Sequence, residues 1–335
     1  MNRISTCFLF AFLVLFTFLS AAELSAAPYY QGKVITLICG AEPGGGYDRT
    51  ARLVSKHLGK FIPGKPTIIV SNMPGAIGTI AANYVYNIAK PNGLTIATFN
   101  RGLSFGQLLK APGVKFDMTK FSWIGSPTVE STVLFIKTNL AYKTFEDLKN
   151  AKSPLNIGCT GTTGTDYSFL VLLKEFTGVK FNYVMYPGGS AVNLAIERGE
   201  VEARAGSYSS LKNFVTTGLV RPLIRSRVAE PEISNLPVDE DLVTDNKGKI
   251  LLSMRSAPDL IGRPYVAPPG VAPEVMNILR DAFAKLTKDP EFKKEAERYD
   301  MTLNYVTAAK CLETLNFIFK QPPDIVSEFN KYVKF

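Results

Sequence analysis

The chain has 335 residues, with 38 lysines and arginines against 29 aspartates and glutamates, one histidine and four cysteines. That length exceeds one ordinary core, so two lobes are the default expectation. A net charge of +9 draws acidic solutes, but the cations are scattered and form no basic block, which argues against a nucleic-acid interface.

Asn2-Arg3, the apolar run Phe8–Leu19 and Ser25-Ala26-Ala27 read as a signal peptide over 1–27. The apolar core is shorter than the roughly 20 residues of a membrane span. Cys7 does not follow a small-residue cleavage box, so no lipid anchor is expected. A mature, exported chain beginning near Pro28 is expected, with an uncleaved anchor as the alternative. Of the remaining Cys39, Cys159 and Cys311, none has zinc-site spacing, and an odd number cannot close a disulfide set. They read as small buried residues, with no metal and no cofactor implied.

Ile35–Asp48, ITLICGAEPGGGYD, is the most informative stretch. An apolar strand breaks into Pro43, Gly44, Gly45 and Gly46, and a helical pattern begins behind Tyr47-Asp48. Consecutive glycines tolerate positive φ and can turn N–H groups toward a ligand. A helix N-terminus adds unpaired donors and the positive end of its dipole, so the construction seeks small anions. Asp48 reads first as a carboxylate tying the loop down, with Arg52 one turn on as its ion-pair partner. Glu42, a second acid beside this site, must point away, pair with a cation or select a positive group on the ligand.

The pattern recurs. A first helix shows Ala51, Val54, Leu58 and Phe61 on one face, and strand Thr67–Val70 runs into Asn72–Gly78. Helix Thr79–Ala89 follows, then strand Leu94–Phe99, which ends in Asn100-Arg101-Gly102. Arg101 is the candidate partner for Glu42 or for an anionic ligand. Past Trp123 come strand Thr132–Ile136, helix Phe145–Asn150 and strand Leu155–Gly158, which opens into Thr160, Gly161, Thr162, Gly164 and Thr165. Helix Tyr167–Phe176 and strand Phe181–Tyr186 lead to Gly188, Gly189 and Ser190, with a helix from about Ala191. Strand Val220–Arg225 is expected to carry the chain back to the first lobe, followed by proline-rich linkers. Helices Pro273–Thr287, Pro290–Tyr299 and Asp324–Tyr332 close the chain, with prolines suited to first helical positions. Alternating strands and helices joined by short glycine-rich loops imply an α/β fold with mostly parallel sheets, which bind ligands at strand carboxyl ends.

Two sharper motifs fail. Gly59–Lys65 nearly spells a phosphate loop, but Pro66 stands where Ser or Thr is needed and the segment runs from helix to strand. His57 is the only histidine and there is no G-x-S-x-G elbow to supply a nucleophile, so it reads as structural.

The stretches ITLICGAEPGGGYDRTARLVSKHL, NMPGAIGTIAANYVYNIAKPNGLTIA, IGCTGTTGTDYSFLVLLKEFTG, YPGGSAVNLAIERGEVEA and VAPPGVAPEVMNILRDAFAKLTKDPEF resemble, in order, the substrate-binding proteins of tripartite tricarboxylate transporters. The resemblance implies a two-lobed periplasmic Venus-flytrap receptor without enzymatic activity, a monomer that delivers a solute to membrane permease subunits. It implies two loops, Glu42–Asp48 and Thr160–Thr165, acting as pincers on a ligand carboxylate, with Gly188–Ala191 as a further binding loop. Lobe one is expected over 28–126, lobe two over 127–219, and a return to lobe one over 220–335. Three departures bear on the ligand: Glu42, where a small or apolar residue is common; Tyr167, where a histidine is frequent; and Glu202–Ser207 in place of an apolar run, which makes Ser207 a further candidate contact. A secreted hydrolase or transferase on the same fold, or a sensor module presenting ligand to a membrane partner, are the rival functions.

Overall fold

The computed structural model describes residues 27–162, 164–228 and 230–333. The expected signal peptide lies outside these, except for Ala27. The chain begins with β1 (Val34–Cys39), α1 (Gly46–Leu58), β2 (Thr67–Asn72), α2 (Thr79–Asn87), β3 (Thr95–Thr98), α3 (Leu103–Leu108) and β4 (Ser122–Ser126). It continues through β5 (Thr132–Lys137), α4 (Phe145–Lys149), β6 (Leu155–Cys159), α5 (Thr165–Thr177), β7 (Phe181–Met185), α6 (Gly189–Arg198), β8 (Ala203–Ser207), α7 (Tyr208–Thr216) and β9 (Val220–Arg225). The last third supplies α8 (Asn246–Ser256), β10 (Tyr265–Ala267), α9 (Pro273–Leu286), α10 (Pro290–Arg298), β11 (Val306–Thr307), α11 (Ala308–Phe319) and α12 (Pro323–Tyr332).

Two sheets form, ordered β11-β4-β10-β3-β1-β2 and β7-β6-β8-β5-β9, with helices against them. Each has its own core. In the first, Leu37 and Ile96 pack with the α1 stripe Ala51, Val54 and Leu58 and with Phe283 of α9. In the second, Leu134 and Ile157 pack with Phe169 of α5 and Ala203. Burying each such aliphatic or aromatic side chain contributes about 1.5–3 kcal/mol. The two-sheet α/β expectation holds, but among the named strands parallel pairing joins only β1 with β2 and β3, and β6 with β7 and β8, with one isolated parallel bridge from Arg225 to Val238. The remaining strand-to-strand pairings are antiparallel, so each sheet is mixed.

One strand departs from expectation. Val220–Arg225 does not return to the first sheet; it pairs antiparallel with β5 along its length. The physical reason lies in β5, whose Val133–Ile136 are all fully buried. Without β9 that apolar strand would be an open edge. The chain leaves the second sheet only after β9, where Thr132 N–H donates to Ser226 Oγ at 3.0 Å and Ser226 N–H donates to the Thr132 carbonyl at 2.8 Å.

Candidate ligand-binding site

The parallel registers set the geometry. Cys39 at the end of β1 lies level with Asn72 at the end of β2, so the loop after β1 emerges beside Asn72. Gly40 lets this loop approach the core closely, since a Cβ there would stand 3.0 Å from Phe99 Cβ and 3.1 Å from Gly78 Cα. Of the three consecutive glycines only Gly44 has positive φ, at 83°. Gly45 is extended at the N-cap of α1, with φ −75°. Gly46 opens the helix where a Cβ would stand 2.5 Å from Ser210 Oγ and 2.6 Å from Arg263 Nη2.

Asp48, buried in the first turn of α1, fastens this loop. Its Oδ2 accepts from Gly44 N–H and from Arg52 Nε, both at 2.9 Å, and Oδ1 accepts from Asn72 Nδ2 at 2.8 Å. Burial pushes its pKa up, but the Arg52, Gly44 and Asn72 hydrogen bonds outweigh burial and leave it below the usual carboxylate value. Asp48 thus holds the loop from behind, as expected, although the N-cap position itself belongs to Gly45.

The second sheet repeats the device. Register aligns Cys159 of β6 with Met185 of β7, placing the loops after these strands side by side. Asp166, in the first turn of α5, accepts Thr160 N–H on Oδ2 and Thr160 Oγ1–H on Oδ1, both at 2.7 Å. Full burial raises the Asp166 pKa, against the lowering effect of those Thr160 bonds. Beyond β7, extended Gly188 caps α6, whose first residues are Gly189 and Ser190.

These three helix N-termini border one cavity of about 140 Å³ between the two sheets, lined by residues of both. Glu42, Gly44, Gly45, Gly46, Tyr47, Arg101, Thr160, Thr165, Gly188, Gly189, Ser190 and Ser207 line it. Pro43 and Thr162 are exposed, Asp48 is buried, and none of the three lines the cavity. Gly161 has φ +126° and packs toward Ile77 of the other lobe. Gly164 and Ala191 do not line the wall.

Sequence reasoning missed most of the charge. Arg49, Arg204 and Arg263 line the cavity with Arg101. Arg101 pairs with neither Glu42 nor solvent: it is buried, and Nε and Nη2 donate to Asp259 Oδ1 at 2.9 and 2.8 Å. Burial lowers its pKa, but Asp259 more than offsets that and raises it. Arg263 donates to Thr50 Oγ1 and Ser209 Oγ, both at 2.9 Å, and lies 3.1 Å from Glu130 Oε1. Arg49 and Arg204 have no carboxylate oxygen within 4.0 Å among the described residues. Burial, and then the Arg263 charge, hold Arg49 below its ordinary value. The small neighbours of Arg204 in Ala203-Arg204-Ala205-Gly206 were the one legible signal that it fills an interior space.

Elsewhere, His57 Nε2 lies 2.7 Å from Glu295 Oε2 with its ring edge-on to Phe292, remote from the cavity lining. Cys39, Cys159 and Cys311 are free and buried. Burial pushes the Cys39 and Cys311 thiols up to about 12, so neither is a ready nucleophile.

The model of the tripartite tricarboxylate transporter family receptor matches residues 50–321. The chain belongs to this family. The receptor is 25% identical over 289 residues to a UPF0065 protein from the gbd 5' region of Cupriavidus necator, covering 84% of this chain and 83% of that protein. Its fold is shared with the Rhodopseudomonas palustris protein MatC with bound malate, at TM-score 0.70 and 17% identity over 90% of this chain and 99% of the other. A second R. palustris protein, with adipate, superposes at TM-score 0.73 and 18% identity over 90% and 97%. The receptor shares the α/β fold of both structures, with its two sheets flanked by helices.

Proposed function

We propose that this receptor captures a small carboxylate in the interlobe cavity, in the periplasm, and hands it to the membrane permease subunits of a tripartite transporter. One observation carries this reading: helix N-termini from both sheets converge on a single cavity whose wall holds two arginines, Arg49 and Arg204, without carboxylate partners. Helix N-termini and desolvated guanidinium groups both favour carboxylate ligands. The malate and adipate of the two R. palustris structures are small carboxylates of a size in keeping with such a cavity.

In this account Gly44–Gly46 and Thr160–Thr165 grip one carboxylate from opposite sides, with Gly188–Ser190 closing the far end. Asp48 and Asp166 position the gripping loops; Asp48 stays behind its loop, whereas Asp166 also forms part of the cavity wall. Pro43, Thr162, Gly164 and Ala191 support loop shape. The two lobes meet along 127–131 and the chain after β9, where closure hinges. The protein works as a monomer without cofactor, and its chemistry is binding alone. Export follows from the leading segment 1–27, and no helix among the described residues is long and apolar enough to cross a membrane.

A thermal-shift screen of small mono-, di- and tricarboxylates tests this. A ligand at 100 Kd stabilises by about 2.7 kcal/mol, so true ligands raise Tm in a concentration-dependent way while the corresponding amides do not. A screen in which no acid moves Tm would remove the carboxylate reading.

A further inference from the structure

Gly75, Ala76, Ile77 and Gly78, between β2 and α2, all have positive φ, at 121°, 44°, 54° and 95°. Glycine suits such a backbone, whereas isoleucine, branched at Cβ, is strained in it. The surroundings enforce the turn. Gly78 N–H donates to the Gly75 carbonyl at 3.0 Å, and a Cβ on Gly78 would stand 3.1 Å from both the Gly40 carbonyl oxygen and Phe99 Cβ. A turn held in this way does not require isoleucine, and glycine at 77 would relieve the strain.

Nor does the side chain stabilise a core. Ile77 is half-buried and, among the described residues, packs into none of the hydrophobic cores. It lines the interlobe cavity instead, next to Pro74. It also reaches the other lobe: a Cβ on Gly161 would stand 2.8 Å from Ile77 Cδ1, so glycine at 161 leaves the side chain its room. The rest of the lining is glycine, alanine, proline, tyrosine and polar or charged residues, which makes Ile77 the only branched aliphatic group on the wall among the described residues. Helix N-termini and guanidinium groups engage a carboxylate but offer nothing to methylenes, which gain only by leaving water for apolar surface.

We infer that Ile77 is a specificity-determining residue: it gives the cavity its one aliphatic wall, and the hydrocarbon part of a bound acid lies against it. The strain at 77 is kept for ligand contact and not for packing. This rests on the carboxylate reading above and concerns the uncharged part of the same ligand.

Calorimetry on the mature protein with two series, butyrate to hexanoate and succinate to adipate, tests the inference. The wild type is expected to gain about two- to fourfold in affinity per added methylene in the series that binds, the upper figure being that of a fully buried methylene. Ile77→Gly should cut this gain to less than about 1.5-fold per methylene, with a Tm equal to or above that of the wild type because the strain is gone. Ile77→Leu, which keeps the apolar volume, should retain most of the gain. A wild type indifferent to chain length, or an Ile77→Gly variant with the gain intact, overturns the aliphatic wall and leaves the carboxylate reading standing. A lower Tm in Ile77→Gly, with short and long acids weakened alike, would make Ile77 a structural support and overturns it too. Failure of all six acids to bind the wild type overturns the carboxylate reading and this inference with it.

Discussion

Asp48 and Asp166 do the same work in the two lobes: each, from the first turn of the helix behind its loop, accepts the N–H of a loop residue, Gly44 at 2.9 Å and Thr160 at 2.7 Å. The loops therefore face the cavity already ordered, and a ligand need not supply the energy of fixing them. Asp48→Ala removes the charge-assisted bonds from Gly44 N–H and Arg52 Nε and one of the two bonds that the Asn72 amide donates, its bond to the Ala41 carbonyl remaining. It should cost about 1–3 kcal/mol in urea unfolding and weaken acid binding without touching ligand. A variant with full stability and full affinity would show that the loop holds itself.

The two neighbouring glycines should behave differently. A methyl on Gly45 meets nothing closer than the Glu42 carbonyl at 3.7 Å, whereas one on Gly46 runs into Ser210 Oγ and Arg263 Nη2 at 2.5 and 2.6 Å. Gly46→Ala should lower affinity about tenfold, about 1.4 kcal/mol, while Gly45→Ala binds nearly as wild type. Calorimetry on the pair checks this, and equal losses would mean that flexibility, and not space, is what the loop requires.

The binding loops were legible because a glycine break behind an apolar strand is a local pattern. Strand Val220–Arg225 was also recognisable, but its partner was not, since pairing with β5 depends on the buried second face of Val133–Ile136 and not on its own residues. Arg101 lay beyond reach for a similar reason: its counter-ion Asp259 is 158 residues away in sequence. Arg263, beside a proline, looked like linker, yet it meets Glu130 inside the fold. Long-range charge pairing leaves no periodic trace in a sequence, and so the arginine lining of the cavity emerged only with the fold.

Glu230 gives the stability a pH dependence. It is buried, Oε2 accepts from Thr302 Oγ1 at 3.0 Å, and Oε1 has no partner among the described residues. Burial, then the Glu130 charge, raise its pKa to about 7 from an ordinary 4.5. The folded state thus holds the proton more tightly than the unfolded one. The stability from that proton is fully present below the unfolded pKa and is lost as pH rises through about 7. Glu230→Gln should be more stable than wild type by about 1–3 kcal/mol near pH 8, with the gap closing toward about pH 5. Chemical denaturation at both pH values measures it, and a gap independent of pH would contradict the assignment.

Glu42 should tune selectivity. It lines the cavity with no hydrogen bond or cation partner among the described residues. Glu42→Gln removes a repulsive charge and should tighten binding of a plain diacid such as succinate by about 3–10-fold, up to about 1.4 kcal/mol. The gain should be smaller for malate, whose hydroxyl can donate to the native carboxylate. An unchanged succinate-to-malate ratio would show that Glu42 does not reach the ligand.

The central claim is that one acid bridges both lobes. An acid held by a single lobe has no differential affinity for open and closed forms and cannot drive closure. Small-angle X-ray scattering of the mature protein, free and saturated with an acid that raises its Tm, tests this most directly. Bridging predicts a smaller radius of gyration in the bound protein; an identical scattering profile at full saturation would contradict it.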